Sequence, residues 1–178
     1  MAVKEVNIVV KGQWNTSIFT PNWVFKNVLK VRESDVAEVG IDGDEFKIVF
    51  KIDNITLVPN ANHVEFKITD YSQETLEYAG NCCIQLLQML PHTNKVAVGL
   101  NYKHEPSSRF EKNLELTTID DYDVSQITYK KTMDCCQLNV LVDSQYTLFN
   151  YHYSKPQLFQ PEHIFKYLTE SEMLWRAL

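Results

Sequence analysis

From Glu45 to Ile52 the chain alternates, Phe46, Ile48, Phe50 and Ile52 against Glu45, Lys47 and Lys51, with Val49 the one apolar residue on the second face. A period of two puts one set of side chains on each side of a strand, so this segment has one buried face and one wet face. A helix of period 3.6 cannot satisfy that pattern, and a parallel strand buried on both faces has no use for its lysines. The pattern returns in Val64, Phe66 and Ile68 against His63, Glu65 and Lys67. Between the two runs, Asp53-Asn54 reads as a turn, "ITLVPN" as a strand and "NANH" as a second turn. The expected unit is an antiparallel meander.

Other segments extend it. Glu5 to Lys11 predicts a strand with Val6, Ile8 and Val10 on one face. Thr20 is placed to cap a short helix with Pro21 at its first position, ending near Val31, and a brief strand is expected over Ala37 to Ile41. After the meander, Asp70 with Gln73 reads as a capping box. Leu76, Ala79, Gly80, Cys83, Leu86, Leu87 and Leu90 then follow at helical spacing, and Pro91 stops the run. Next, Val96, Val98, Leu100 and Tyr102 alternate against Lys95, Gly99, Asn101 and Lys103. Three further strands are expected over Val124 to Met133, Cys135 to Val142 and Gln145 to Tyr153, the last two joined by a tight "VDSQ" turn. Pro161 opens a terminal helix through Ile164, Phe165 and Leu168, and the capping pattern "TESE" from Thr169 predicts a kink before "MLWRAL".

The order of elements reads twice: strand, short helix or irregular link, meander, long helix. The expected fold is therefore α+β, mainly antiparallel sheets with helices on one face. It forms a single globular domain over 1–178, with an internal duplication of 3–91 and 94–178. In this alignment "HVEFKITD" corresponds to "TLFNYHYS", each being the last strand before its long helix. A chain of 178 residues, 44% apolar and 22% charged, is long enough to bury such a core.

The run Val98-Gly99-Leu100-Asn101-Tyr102, coming off an amphipathic helix, resembles a strand in a sporadically distributed family of uncharacterised bacterial proteins. That family has a similar Ile-Gly-Leu-Arg-Tyr run after a helix, and a later strand–loop–helix close like Thr147 to Leu168. Asn101 stands where the family tends to carry Arg, and His104 where it tends to carry Asn. The resemblance implies a fold and no reaction.

Charge and motif narrow the chemistry. A net charge of −6 with scattered lysines argues against nucleic-acid binding, and no stretch approaches the length of a membrane span. No leader is visible at the N-terminus, so a cytoplasmic protein with reduced thiols is expected. The four cysteines fall in adjacent pairs, Cys82-Cys83 and Cys135-Cys136, without the two-residue spacer of a zinc knuckle. No metal and no cofactor are expected. The glycines are too dispersed for a phosphate loop, and neither a nucleophile elbow nor a zinc-protease helix occurs. The acidic cluster Asp120, Asp121 and Asp123 lacks the residue order of a calcium loop.

Two residue sets remain as candidates. Tyr102, His104, Asn150 and His152 lie at strand ends and are expected to line a ligand-binding cleft between the two half-units. Met173, Leu174, Trp175 and Leu178 give the last turn more apolar surface than it can bury alone, which makes it a candidate interface or a segment docked on the chain's own sheet. The leading expectation is a non-enzymatic protein that binds another protein or itself. The alternative is an enzyme or small-ligand binder using the cleft; whether the chain catalyses anything is left open.

Overall fold

A computed structural model describes residues 3–31, 37–42, 47–107 and 126–178. The acidic cluster at Asp120 to Asp123 lies outside them, as does the start of the strand expected from Val124. The strands are β1 (Val3–Gly12), β2 (Ala37–Asp42), β3 (Lys47–Ile52), β4 (Ile55–Pro59), β5 (His63–Ile68), β6 (Lys95–His104), β7 (Gln126–Thr132), β8 (Gln137–Asp143) and β9 (Thr147–Tyr153). The helices are α1 (Pro21–Trp23), continued as a π turn over Val24–Val28, then α2 (Gln73–Met89) and α3 (Glu162–Ala177). Among the described residues these nine strands join one antiparallel sheet in the order β2-β3-β4-β5-β1-β6-β9-β8-β7. The fold is α+β, as the alternating pattern predicts.

Register carries the alternation across the sheet. Val6, Ile8 and Val10 stand opposite Ile68, Phe66 and Val64 on one side and Tyr102, Leu100 and Val98 on the other. Those three β6 residues in turn face Phe149, Tyr151 and Tyr153 of β9. Because side-chain period and register agree, the apolar set falls on one face throughout. All twelve of these side chains are buried.

The helices cover that face. α2 buries Leu76, Ala79, Cys82, Cys83 and Leu86, and α3 buries Ile164, Tyr167, Leu168 and Ser171. The expected start of α2 shifts slightly: Ser72 is the N-cap and accepts from the Thr75 amide, while Asp70 accepts hydrogen bonds from the Ser72 and Thr75 hydroxyls. Where α2 meets the start of α3, Gly80 permits the contact, since a Cβ there would lie 2.8 Å from Pro161 Cα. Thr20 caps α1 as expected, but α1 with its π turn stops at Val28 rather than Val31. Phe25 in the π turn meets Phe50 edge to face.

The kink expected at Thr169 does not form. α3 runs unbroken from Glu162 to Ala177, and the Thr169 hydroxyl donates to the Phe165 carbonyl inside the helix, 3.2 Å away. Leu168 and Ser171 are both buried on the helix face that meets the sheet, so the backbone is held helical through the capping-like sequence.

Candidate binding face

The face of the sheet opposite the helices carries the other half of each alternation. In the middle of the sheet its residues are Asn7 and Val9 of β1, Asn101 of β6, Asn150 and His152 of β9 and Asn139 of β8. Asn7 stands opposite Asn101, Asn101 opposite Asn150, and Asn150 opposite Asn139. Their side-chain amides join into one directional ladder. Asn139 Nδ2 donates to Asn150 Oδ1 (3.3 Å), Asn150 Nδ2 to Asn101 Oδ1 (2.7 Å) and Asn101 Nδ2 to Asn7 Oδ1 (2.7 Å). Asn7 Nδ2 ends the run on the Glu65 carboxylate of β5 (2.9 Å), and Gln137 Nε2 extends the other end by donating to Asn139 Oδ1 (3.1 Å).

Asparagine is depleted in strands because its short amide competes for the backbone. Four of them in one cross-strand row run against local propensity, and such departures concentrate at working surfaces. Asn101, Asn139 and Asn150 of the ladder also line a trough of about 450 Å³, together with Val9, Leu141, Leu148, Thr128, His152 and Lys11. Gly99 lies opposite His152, and a Cβ there would come within 3.2 Å of the Asn150 amide nitrogen. Among the described residues, no carboxylate lines this trough. A second hollow continues from it along Glu5, Asn7, Lys103, Tyr146 and Leu148.

The four residues expected to share a cleft are divided by the sheet. Asn150 and His152 line the trough, whereas Tyr102 and His104 point under the helices and are fully buried. Tyr102 donates its hydroxyl to the Ile164 carbonyl of α3 (2.6 Å). β1 and β6 pair in hydrogen-bonded register, so the place where the cleft was expected is continuous sheet. The face assignment of each residue follows from its strand parity. What parity cannot supply is which face the helices cover, and that decides depth.

His104 is fully buried, with Phe149 and Trp175 against its ring. Ser171 Oγ donates to the Leu168 carbonyl (2.8 Å), so its oxygen accepts from His104 Nε2–H at 2.9 Å. His104 Nδ1 is then a buried acceptor with no partner among the described residues, as are Thr147 Oγ1, directly opposite on β9, and Glu172 Oε1. Burial pushes the imidazole pKa down to about 4, so the ring is neutral at physiological pH. Trp175 stacks on that ring at a centroid distance of 6.0 Å and donates its indole N–H to the Glu105 carbonyl at 2.9 Å.

The terminal set is divided as well. Leu174, Trp175 and Leu178 pack against the core, and Met173 points outward, 69% exposed. Docking on the chain's own sheet therefore accounts for three of the four residues, leaving Met173 as the exposed one.

A feature that the sequence reading passed over lies at the β7–β8 turn. Tyr167 of α3 stacks face to face on Tyr151 (4.1 Å, 5° between planes) and holds its hydroxyl 3.3 Å from Cys135 Sγ and 3.8 Å from Cys136 Sγ. The only available sequence signal is the string "MDCC" ahead of a strand, which places sulfur on a hairpin turn without showing what faces it. All four cysteines are free thiols. Burial raises the Cys82 thiol to about 12 and the Cys83 thiol further, so both behave as small core hydrophobes. No protein-family model matches the chain, and no curated protein matches it.

Proposed function

We propose that this chain is a non-enzymatic binding protein of the cytoplasm, and that its working surface is the helix-free face of β1, β6, β9 and β8. The asparagine ladder carries the reading. It is a row of aligned amide donors and acceptors, laid against strand propensity and flanked by half-buried Leu141 and Leu148. The occupant is a second protein chain, either a partner or another copy of this one. No helix of the described residues is long and apolar enough to cross a membrane, which agrees with such a role. The reading keeps the resemblance to the uncharacterised bacterial family as a likeness of fold, and treats the two halves as copies of one unit.

The strand order supports the duplication. Counting outward from the central β1–β6 pair gives β5-β4-β3 on one side and β9-β8-β7 on the other, each meander leading to a long helix. A second reading, a small anionic ligand held near Lys11, is favoured by a trough whose described lining residues include a lysine and a histidine and no acid.

Three variants separate these. Asn101→Asp and Leu148→Glu place charge on the face without touching the helix-covered core. If the face binds protein, a partner captured by the wild type, or its solution mass as an oligomer, is lost in both variants while the melting temperature holds. If the trough binds a small anion, a metabolite panel raises the wild-type melting temperature and Lys11→Glu abolishes the rise. Identical partners and mass for wild type and both variants, with no response to the panel, would sink the assignment of this face.

A further inference from the structure

The β7–β8 hairpin closes through a hydrogen bond from the Met133 amide to the Cys136 carbonyl (2.9 Å), leaving Asp134 and Cys135 at its tip. Adjacent residues on a regular strand point to opposite faces, which would separate the two thiols. Here Cys135 belongs to the turn and Cys136 lies just before β8, so both sulfurs reach the same Tyr167 hydroxyl. The closing pair brings a third sulfur, with Cys136 Sγ 3.9 Å from Met133 Sδ. Two thiols, one thioether and one phenol thus meet beneath α3.

That spacing has a chemical meaning. Three sulfurs bound in a plane around one ion, each at a metal–sulfur distance of about 2.3 Å, stand about 4.0 Å apart. The Met133–Cys136 separation already matches this. The tetrahedral demand that argues against zinc at adjacent cysteines does not apply to a three-sulfur centre. No cluster of three or more His, Cys, Asp or Glu side chains occurs among the described residues, so a hard or borderline cation has no ligand set there. Thiolate with thioether selects a soft monovalent ion. Cys136 and Met133 are buried and half-buried, while the half-buried Cys135 gives a route from solvent.

We propose that Met133, Cys135 and Cys136 form a binding site for copper(I), with Tyr167 donating its hydroxyl to a ligating thiolate. Two thiol protons leave to solvent as the two copper–thiolate bonds form, the thioether adds a lone pair, and the copper stays monovalent throughout. In the unliganded site the Cys135 sulfur lies 3.3 Å and the Cys136 sulfur 3.8 Å from the Tyr167 hydroxyl. The site lies across the sheet from the asparagine ladder, and stands independently of the function proposed for that face.

The test is anaerobic titration of the reduced full-length protein with copper(I) buffered by bicinchoninate. The wild type is expected to withdraw one equivalent from the coloured chelate and to gain an ultraviolet thiolate-to-copper band. Cys135→Ser and Cys136→Ser should lose both signals, and Cys82→Ser should keep them. Tyr167→Phe should bind about tenfold more weakly, the usual scale for a partner outside the coordination sphere. Met133→Leu is isosteric enough to preserve the fold and should weaken binding at least as much, which keeps the proposal open to refutation if Cys136→Ser fails to fold. Failure of the wild type to compete with bicinchoninate would overturn it. So would unchanged affinity in Met133→Leu and Cys135→Ser, or loss of copper in Cys82→Ser alone.

Discussion

His104 shows how one side chain can tie stability to pH. Its ring is neutral in the fold because burial lowers the pKa to about 4, whereas an exposed histidine titrates near 6.5. Between those values the unfolded chain binds the extra proton, so the stabilisation is complete above pH 6.5 and is lost as pH falls toward 4. The loss at pH 4 amounts to at most about 3 kcal/mol. His104 Nδ1 has no hydrogen-bond partner among the described residues, and no ion pair among them involves His104. His163, which stacks on Tyr153, is also lowered by burial and contributes in the same direction. Urea unfolding at pH 7 and pH 5 should therefore show a drop for the wild type that is smaller in His104→Gln, and equal drops would show that His104 is not the source. The sequence places His104 at a strand end in line with Tyr102. Its depth comes from Trp175, whose indole bonds the next residue, Glu105, from 70 positions along the chain. No local pattern encodes that.

At the scale of single elements, α3 is where sequence signal and structure part most clearly. The motif from Thr169 to Glu172 fits a capping box, but a cap needs non-helical backbone at its first residue. Burial of Leu168 and Ser171 against the sheet keeps that backbone helical, and the Thr169 hydroxyl turns inward to Phe165. The strands were far easier to read, since alternation alone gives their faces and the Asp53-Asn54 turn forms where it was expected, with Asp53 at φ +46°. The consequence for α3 is a sharp contrast between neighbours. Trp175→Ala removes the stack on His104 and the bond to Glu105, and should cost about 2–4 kcal/mol. Met173→Gln, two residues away on the exposed side, should stay within about 0.5 kcal/mol of wild type. Denaturant titration of the two variants checks this, and similar costs would mean that the terminal turn does not dock as described.

For the whole molecule, the order of strands matters more than their number. The first strand of the chain lies inside the sheet, between β5 and β6, while β2 and β7 form its edges. Amides of β1 and β6 should therefore exchange with deuterium slowest and those of β7 fastest, as peptide-level exchange mass spectrometry would show; a protected β7 would contradict the sheet order. The meanders could be read in advance because neighbouring strands are also neighbours in sequence. The β1–β6 seam could not, because pairing across such a distance leaves no periodic trace, and the asparagine row becomes visible only once that seam sets its register. The same seam bears on how the chain is made. When α2 has left the ribosome, β5 is available to pair with one edge of β1, but the other edge has no partner until β6 follows, from Lys95 to His104. At ~5–20 residues per second that edge stays open for roughly one to three seconds. During this interval the nascent chain exposes a bare strand of alternating valine and isoleucine, the kind of template on which neighbouring nascent chains on one message can pair wrongly. The link between Met89 and Lys95 is short, which limits the exposure, and lengthening it should raise the insoluble fraction during synthesis while leaving the stability of the finished protein unchanged.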